Sequence, residues 1–533
     1  MLQPNKPIVS DPPSARSRSH GFSAPQIAVL FAAFTLLISI PILTHPLPPL
    51  SDYVNHLARM HVMATLSKNP LLAQYYEIDW QVIPNLTMDL IVPLLARVMN
   101  VYLAGQVFII GMFALIISGV LALNRALIGR WSVFPLFAFP LLYNYVFLVG
   151  VMNYIFGIGV ALWALAGWIA LRERVWPARF ALSTACVVAL FFCHLSALGI
   201  YGIGVLAFEI SRLWEQRHEP WPSRIVDFVA GGLPFLAAAP LLNASPTMQL
   251  VGATYWGQRG KVDGLMYVIS DYSDIAAFAL ITVMVVSIVW AIRHRVLRFH
   301  PLILPLLVVG AAVYLALPRV MFDTYMTDQR VPLGIAFMLF ACGDLELRRR
   351  LVRRAFLAVL IVLIAVRLIE IDLNWSQLSD STGDFRSSVR RIAPGSKVFV
   401  AYADRASGED VRDLGLVHAA CIATIERSAL VTTLFTVIGK QVLHARPEYR
   451  DFVDEQDGTP PSVARLIVAA DHPTDNTIPA FWRNWTKFDY LYVLFTEDEA
   501  ANPDPSRLKL IDDGDRFQLY RILKSTKNVT SSN

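Results

Sequence analysis

The stretch richest in chemistry is Ser51-Asp52-Tyr53-Val54-Asn55-His56-Leu57-Ala58-Arg59. Asp52, Asn55, His56 and Arg59 fall at i, i+3, i+4 and i+7, so a helix starting here carries all of them on one face. A carboxylate, an amide, an imidazole and a guanidinium together are equipped for proton transfer and anion binding. Prolines at 46, 48 and 49 end whatever precedes this helix, and Ser51 or Asp52 is suited to cap it. Asp52, His56 and Arg59 are the candidate catalytic residues, and Asn55 a candidate substrate-binding one. The competing reading is a solvated polar face beside a membrane.

Further along the same loop come Glu77, Asp79, Trp80 and Asp89. Acids beside an aromatic suit a sugar-binding wall, although surface loops commonly carry acids. Tyr143, Asn144 and Asn153 mark another turn. His194 lies in Phe191-Phe-Cys-His-Leu-Ser-Ala197, where a buried, hydrogen-bonded histidine is the competing reading. Loop 244–274 carries Tyr255, Trp256, Gln258, Arg259, Lys261 and Asp263; loop 318–330 carries Arg319, Asp323, Asp328 and Arg330. Arg330 immediately precedes an apolar run. There it is placed to hold a phosphate by paired hydrogen bonds, or to snorkel as an anchor. The candidate substrate-binding set is Asn55, Glu77, Asp79, Asn153, His194, Arg259, Arg319 and Arg330.

The elements that must position these residues are membrane spans. Apolar residues make up 55% of the 533 and charged ones 16%, against roughly 25% charged in soluble domains. The sequence reads as a polytopic α-helical membrane protein with about 11 transmembrane helices and a C-terminal extracytoplasmic α/β domain. Residues 1–24 read as a disordered cytoplasmic N-terminus, 25–371 as the transmembrane domain with a first outer loop over 47–101, and 372–533 as the outer domain. Apolar runs long enough for ~30 Å of hydrocarbon lie near 25–46, 102–123, 133–149, 152–171, 178–194, 196–212, 225–243, 275–292, 301–317, 331–345 and 355–371. With the N-terminus inside, 19 of the 27 Lys and Arg in residues 1–371 fall in cytoplasmic segments, as the positive-inside rule requires. The ambiguous run Ile83–Met99 is therefore expected to lie on the outer surface without crossing. An odd number of spans puts 372–533 outside.

That last part carries 19 Lys and Arg against 23 Asp and Glu, so the basic pI of 8.9 is no nucleic-acid signal. Val398–Tyr402, Ala464–Ala470 and Phe488–Phe495 read as strands, Leu416–Ile438 as helix, and Leu508–Asp512 with Phe517–Leu523 as a hairpin. No glycine-rich phosphate loop and no metal-ligand spacing is present. The four cysteines form no disulfide framework.

An acidic residue in the first outer loop, just past span one, is the position that marks the GT-C membrane glycosyltransferases. The chain resembles that family in Asp52, in the long first loop with its surface helix, in eleven spans with the N-terminus inside, and in the outer α/β domain. The resemblance implies an integral-membrane glycosyltransferase of the cell envelope, sited in a bacterial inner membrane. It would move a sugar from a polyprenyl-phosphate donor to an envelope glycan, lipid or protein acceptor, with membrane lipids as further partners. Asp52 would be the base or acceptor-orienting carboxylate and Arg330 would meet the donor phosphate. Several members carry an adjacent Asp-Glu or Asp-Asp pair, whereas Asp52 is followed by Tyr53. The second acid and a divalent cation such as Mg or Mn are thus left open, and no cofactor is assigned. The alternatives are a transporter or flippase of a lipid-linked or anionic substrate, and a non-catalytic membrane assembly protein.

Overall fold

The computed structural model describes residues 21–524, apart from 173–175, 251–253, 258–259, 323, 405–410, 456–458, 473, 498–499 and the side chain of residue 380. The expected disordered segment, up to residue 20, and Gln258, Arg259 and Asp323 lie outside the described residues.

The first span begins with a reciprocal cap. Ser23 N–H donates to Gln26 Oε1 at 2.9 Å while Ser23 Oγ accepts from Gln26 N, and Pro25 occupies the first turn, where its missing N–H costs nothing. The helix runs Ala24–Ile38 and continues as Ile40–Thr44. Among the described residues seven helical stretches are long and apolar enough to cross a membrane: Ala24–Thr44, Val101–Ile128, Met152–Ala170, Trp176–Cys193, Leu195–Glu215, Trp221–Ala244 and Asp274–Arg293. The chain is a polytopic α-helical membrane protein with a sheet-containing C-terminal domain.

The other four runs take different forms. Over 133–149, Pro135 and Pro140 remove backbone donors, and the chain makes a 3-10 helix, Phe134–Leu141, followed by the short helix Tyr145–Val149. Ile303–Ala316 and Val331–Ala341 are shorter apolar helices. The second stops because residues 343–345 pair instead, in antiparallel register with Leu297–Phe299. The last run belongs to a 40-residue helix, Arg350–Val389. The compositional break at 372 is therefore not a break in the backbone. In the first loop, Thr87–Leu95 is a helix of 9 residues, about 14 Å long at 1.5 Å per residue, well short of a crossing.

The C-terminal domain holds a five-stranded sheet in the order Leu430–Val431, Lys397–Tyr402, Tyr490–Leu494, Phe517–Ile522, Leu508–Gly514. The first three strands are parallel and the last two join antiparallel, with the expected hairpin at the edge. Two expectations are corrected. Residues 464–470 are not a strand but lie in the helix Val463–Asp471, which buries Leu466 and Ala469 three positions apart; a short apolar run carries no periodicity that separates the two forms. Residues 416–438 are not one helix. Ile422–Arg427 ends at Ser428, which adopts φ 52°, and the β-branched stretch after it supplies the edge strand and a loop.

The two parts are stitched together. Tyr76–Ile78 of the first loop pairs antiparallel with Leu443–Ala445 of the C-terminal domain, Glu77 opposite His444. A Cβ on Gly415 would stand 2.6 Å from Pro49 Cβ, so the C-terminal domain also lies directly on the proline run before Asp52.

Candidate active site

Asp52 sits where two segments cross. The backbone N–H groups of Ser51 and Asp52 donate to the carbonyls of Leu148 and Val149 at 3.0 and 3.1 Å. The short helix supplying those carbonyls is capped by Gly150 at φ 89°. A Cβ there would meet Asp52 N at 2.8 Å, so glycine is needed for both the conformation and the approach. Asp52 takes the N-cap position of the helix Tyr53–Thr65, yet its side chain makes no capping bond; the carboxylate lines a cavity instead.

The polar stripe that follows is buried, not solvated: Asn55, His56 and Arg59 are all shielded from water. Asn55 reaches into the C-terminal domain. Its amide nitrogen donates to Thr433 O at 2.7 Å and faces His418 Nδ1 at 3.2 Å, while its oxygen accepts from Phe435 N at 2.9 Å. His56 lines the same cavity as Asp52, edge-on to Phe435. Burial, aided by the Arg59 charge, holds its pKa well below the usual imidazole range, so it is neutral. Arg59 turns away and donates to Asp89 at 2.9 Å, with both side chains almost wholly buried.

A second wall comes from the ends of two membrane helices. His194 caps Leu195–Glu215, its Nδ1 accepting from Ser196 N at 3.0 Å. Nε2 stands 3.1 Å from Arg330 Nη1, so the imidazole and the guanidinium meet at the cavity wall. Arg330 also donates to Tyr325 O at 2.9 Å, its buried Nε has no partner among the described residues, and its carbonyl accepts from the Tyr154 hydroxyl. An anionic oxygen in the cavity would give the Arg330 guanidinium a charged acceptor.

Asp52, His56, His194 and Arg330 thus line one cavity of about 620 Å³. The loop before Arg330 adds residues such as Val320 and Tyr325, and the C-terminal domain contributes Tyr402, His418, Phe435, Lys440 and Asp454. None of these was marked by the sequence. His418, in Leu416-Val-His-Ala-Ala-Cys421, looks like a core histidine of a helix, and only the fold brings it to Asp52.

The other candidates among the described residues lie outside this lining. Arg59 is engaged by Asp89. Glu77 belongs to the inter-domain strand pair, and Asp79 accepts from Gln81 at 2.6 Å while its backbone N–H donates to Val442 O; both lie at the seam between the parts. Asn153 accepts from Met88 N at 2.8 Å and donates to Asn85 O at 2.7 Å, steadying the cavity residue Asn85 from behind. Arg319 pairs with Asp328 at 2.8 Å, which also binds Lys261 at 2.7 Å. That network braces the loop that ends in Arg330. Arg259 is not among the described residues.

The fit to a divalent cation is poor. Among the described residues no three His, Cys, Asp or Glu side chains converge, whereas Mg or Mn is held by clustered oxygen ligands.

No protein-family model matches the chain, and no curated protein matches it. Among solved structures, the crystal structure of ArnT from Cupriavidus metallidurans bound to undecaprenyl phosphate is similar. It has 12% sequence identity and a TM-score of 0.48, over 94% of this chain and 99% of that one.

Proposed function

We propose that this chain is an integral-membrane glycosyltransferase that moves a sugar from a polyprenyl-phosphate donor to an extracytoplasmic acceptor. One observation carries the reading: Asp52 and the hydrogen-bonded Arg330–His194 pair line a single cavity against the C-terminal domain. A lipid-phosphate sugar is already activated, so no nucleotide site is required. Asp52 takes the proton of the acceptor hydroxyl as its oxygen bonds to the anomeric carbon. The bond from that carbon to the phosphate oxygen breaks, and the phosphate leaves with the electron pair. Arg330 and His194 stabilise the charge gathering on it. The orientation that goes with this reading is a cytoplasmic N-terminus and a C-terminal domain outside, supported by the Lys and Arg distribution; a bacterial inner membrane fits the polyprenyl donor.

The transporter alternative draws less support. Its pathway would need ionisable groups available within the spans. Arg179 is paired with Glu209 at 2.8 Å, and Arg367 with Asp271.

The test is transfer by the purified chain in vesicles, offered a panel of polyprenyl-phosphate sugars and a mixed envelope-glycan and lipid acceptor fraction. Wild type should transfer from at least one donor. Asp52→Asn, nearly isosteric but not basic, should lose ~10²–10⁴ of that rate. Undiminished transfer by Asp52→Asn refutes the reading.

A further inference from the structure

Three contacts decide where the His418 proton sits. Phe435 N–H donates to Asn55 Oδ1 at 2.9 Å, which identifies the oxygen of that amide. Asn55 Nδ2 gives one hydrogen to Thr433 O at 2.7 Å. Its other hydrogen is directed at His418 Nδ1, 3.2 Å away. A ring nitrogen that accepts does not also carry the proton. His418 is neutral at pH 7, because burial pushes its pKa down to about 4. Its single ring proton is therefore on Nε2, the atom that faces Asp52 Oδ1 at 3.6 Å.

We propose that His418, supplied by the C-terminal domain, is a positioning residue for the Asp52 carboxylate, with Asn55 setting its tautomer. The proposal rests on the transfer reaction above. The Nε2–H holds one carboxylate oxygen and turns the other toward the acceptor hydroxyl. At 3.6 Å the pair is wider than a hydrogen bond, and catalytic hydrogen bonds commonly tighten once substrate is seated. Phe435 sets the ring plane by standing edge-on to His418, centroids 5.1 Å apart. Gly415 anchors the segment three residues earlier against Pro49. The first loop carries the carboxylate, and the C-terminal domain orients it. That domain is then a working part of the reaction centre and not a cap over it.

The experiment uses the full chain in vesicles with the polyprenyl-phosphate sugar that wild type turns over. His418→Ala should lower kcat about 100-fold, the effect of a misplaced reacting group, with KM for the donor little changed. His418→Gln keeps an N–H near the Nε2 position and should recover most of the loss, which a purely structural histidine would not show. Asn55→Asp puts a hydrogen-bond acceptor opposite Nδ1, which favours the Nδ1–H tautomer and turns the Nε2 lone pair onto Asp52. Made in the wild-type chain, that change should lower kcat; added to the His418→Gln variant, it should lower kcat no further. Nitrogen-15 NMR of His418 should report the Nε2–H tautomer in wild type and the Nδ1–H tautomer in Asn55→Asp; this arm needs no turnover. Wild-type kcat in His418→Ala, a Gln variant no better than Ala, or an Nδ1–H tautomer in wild type overturns the proposal. If Asp52→Asn abolishes transfer and His418 variants are indifferent, the proposal alone falls. If wild type transfers nothing, or Asp52→Asn is fully active, the reaction and the proposal fall together.

Discussion

Asn55 and His418 are 363 residues apart in the chain and 3.2 Å apart in the fold. The contact joins the first loop to the C-terminal domain inside one buried hydrogen-bond network. The neighbouring strand pair Tyr76–Ile78 with Leu443–Ala445 adds a backbone ladder to the same seam. The cavity is thereby fixed between two parts that composition alone would treat as separate units.

Arg330 is the group expected to meet the donor phosphate. Arg330→Lys keeps the charge but loses the planar fork and the contact with His194, so transfer should weaken. Arg330→Ala should lose donor binding altogether. Binding of a radiolabelled polyprenyl phosphate to the three purified forms decides the matter. Equal affinity in all three would leave Arg330 as a membrane anchor only.

Arg59 and Asp89 make a prediction about stability, not catalysis. The pair is buried almost completely on both sides and ties the helix Tyr53–Thr65 to Thr87–Leu95. Asp89→Ala strands a buried guanidinium and should cost about 3–5 kcal/mol, whereas replacing both partners by apolar residues should cost far less. Thermal unfolding of the detergent-solubilised variants is the measurement. A mild single variant and a severe double one would contradict this assignment.

His418 also predicts a pH dependence of stability. Its pKa drops from an ordinary 6.5 to about 4 on folding, because the buried ring resists charging. The unfolded chain therefore binds the proton more tightly. The contribution of the neutral ring is intact above about pH 6.5 and is lost progressively as the pH falls toward 4. Melting curves at pH 7.5 and 5 should show a larger acid loss for wild type than for His418→Gln. Identical losses would mean that the ring titrates as an exposed histidine.

Orientation in the membrane is tested by reporter fusions after residues 130, 220 and 375. They should read inside, inside and outside, following the 19-to-8 division of Lys and Arg in residues 1–371. An inside signal at 375 would place the cavity on the opposite face and remove the acceptor class proposed for it.

The sequence showed which residues share a helix face, but not what that face meets. Periodicity grouped Asp52, Asn55, His56 and Arg59, and the fold keeps them on one helix. It carried no sign that Arg59 would find Asp89, or that Asn55 would be taken up by the backbone of residues 433–435. Arg330 was legible because an arginine against an apolar run is costly unless it anchors or binds. His418 was not, because a histidine among Leu, Val and Ala gives the same local signal in a core as in a cavity wall. The long apolar runs were readable by length. The proline-broken stretch 133–149 and the helix through residue 372 were not, since hydropathy reports burial and is silent on backbone continuity.

The same 363-residue separation sets a clock on biogenesis. At ~5–20 residues per second of synthesis, the segment carrying Asn55 emerges on the order of 20–70 s before the one carrying His418 and the loop at 433–435. Through that interval the first loop has neither its strand partner nor its amide acceptors, and the buried stripe must stay wet or be chaperoned. A ribosome that stops short of residue 445 leaves a membrane-inserted fragment with no finished pocket. The pocket is therefore complete only once the C-terminal residues that line it have been synthesised.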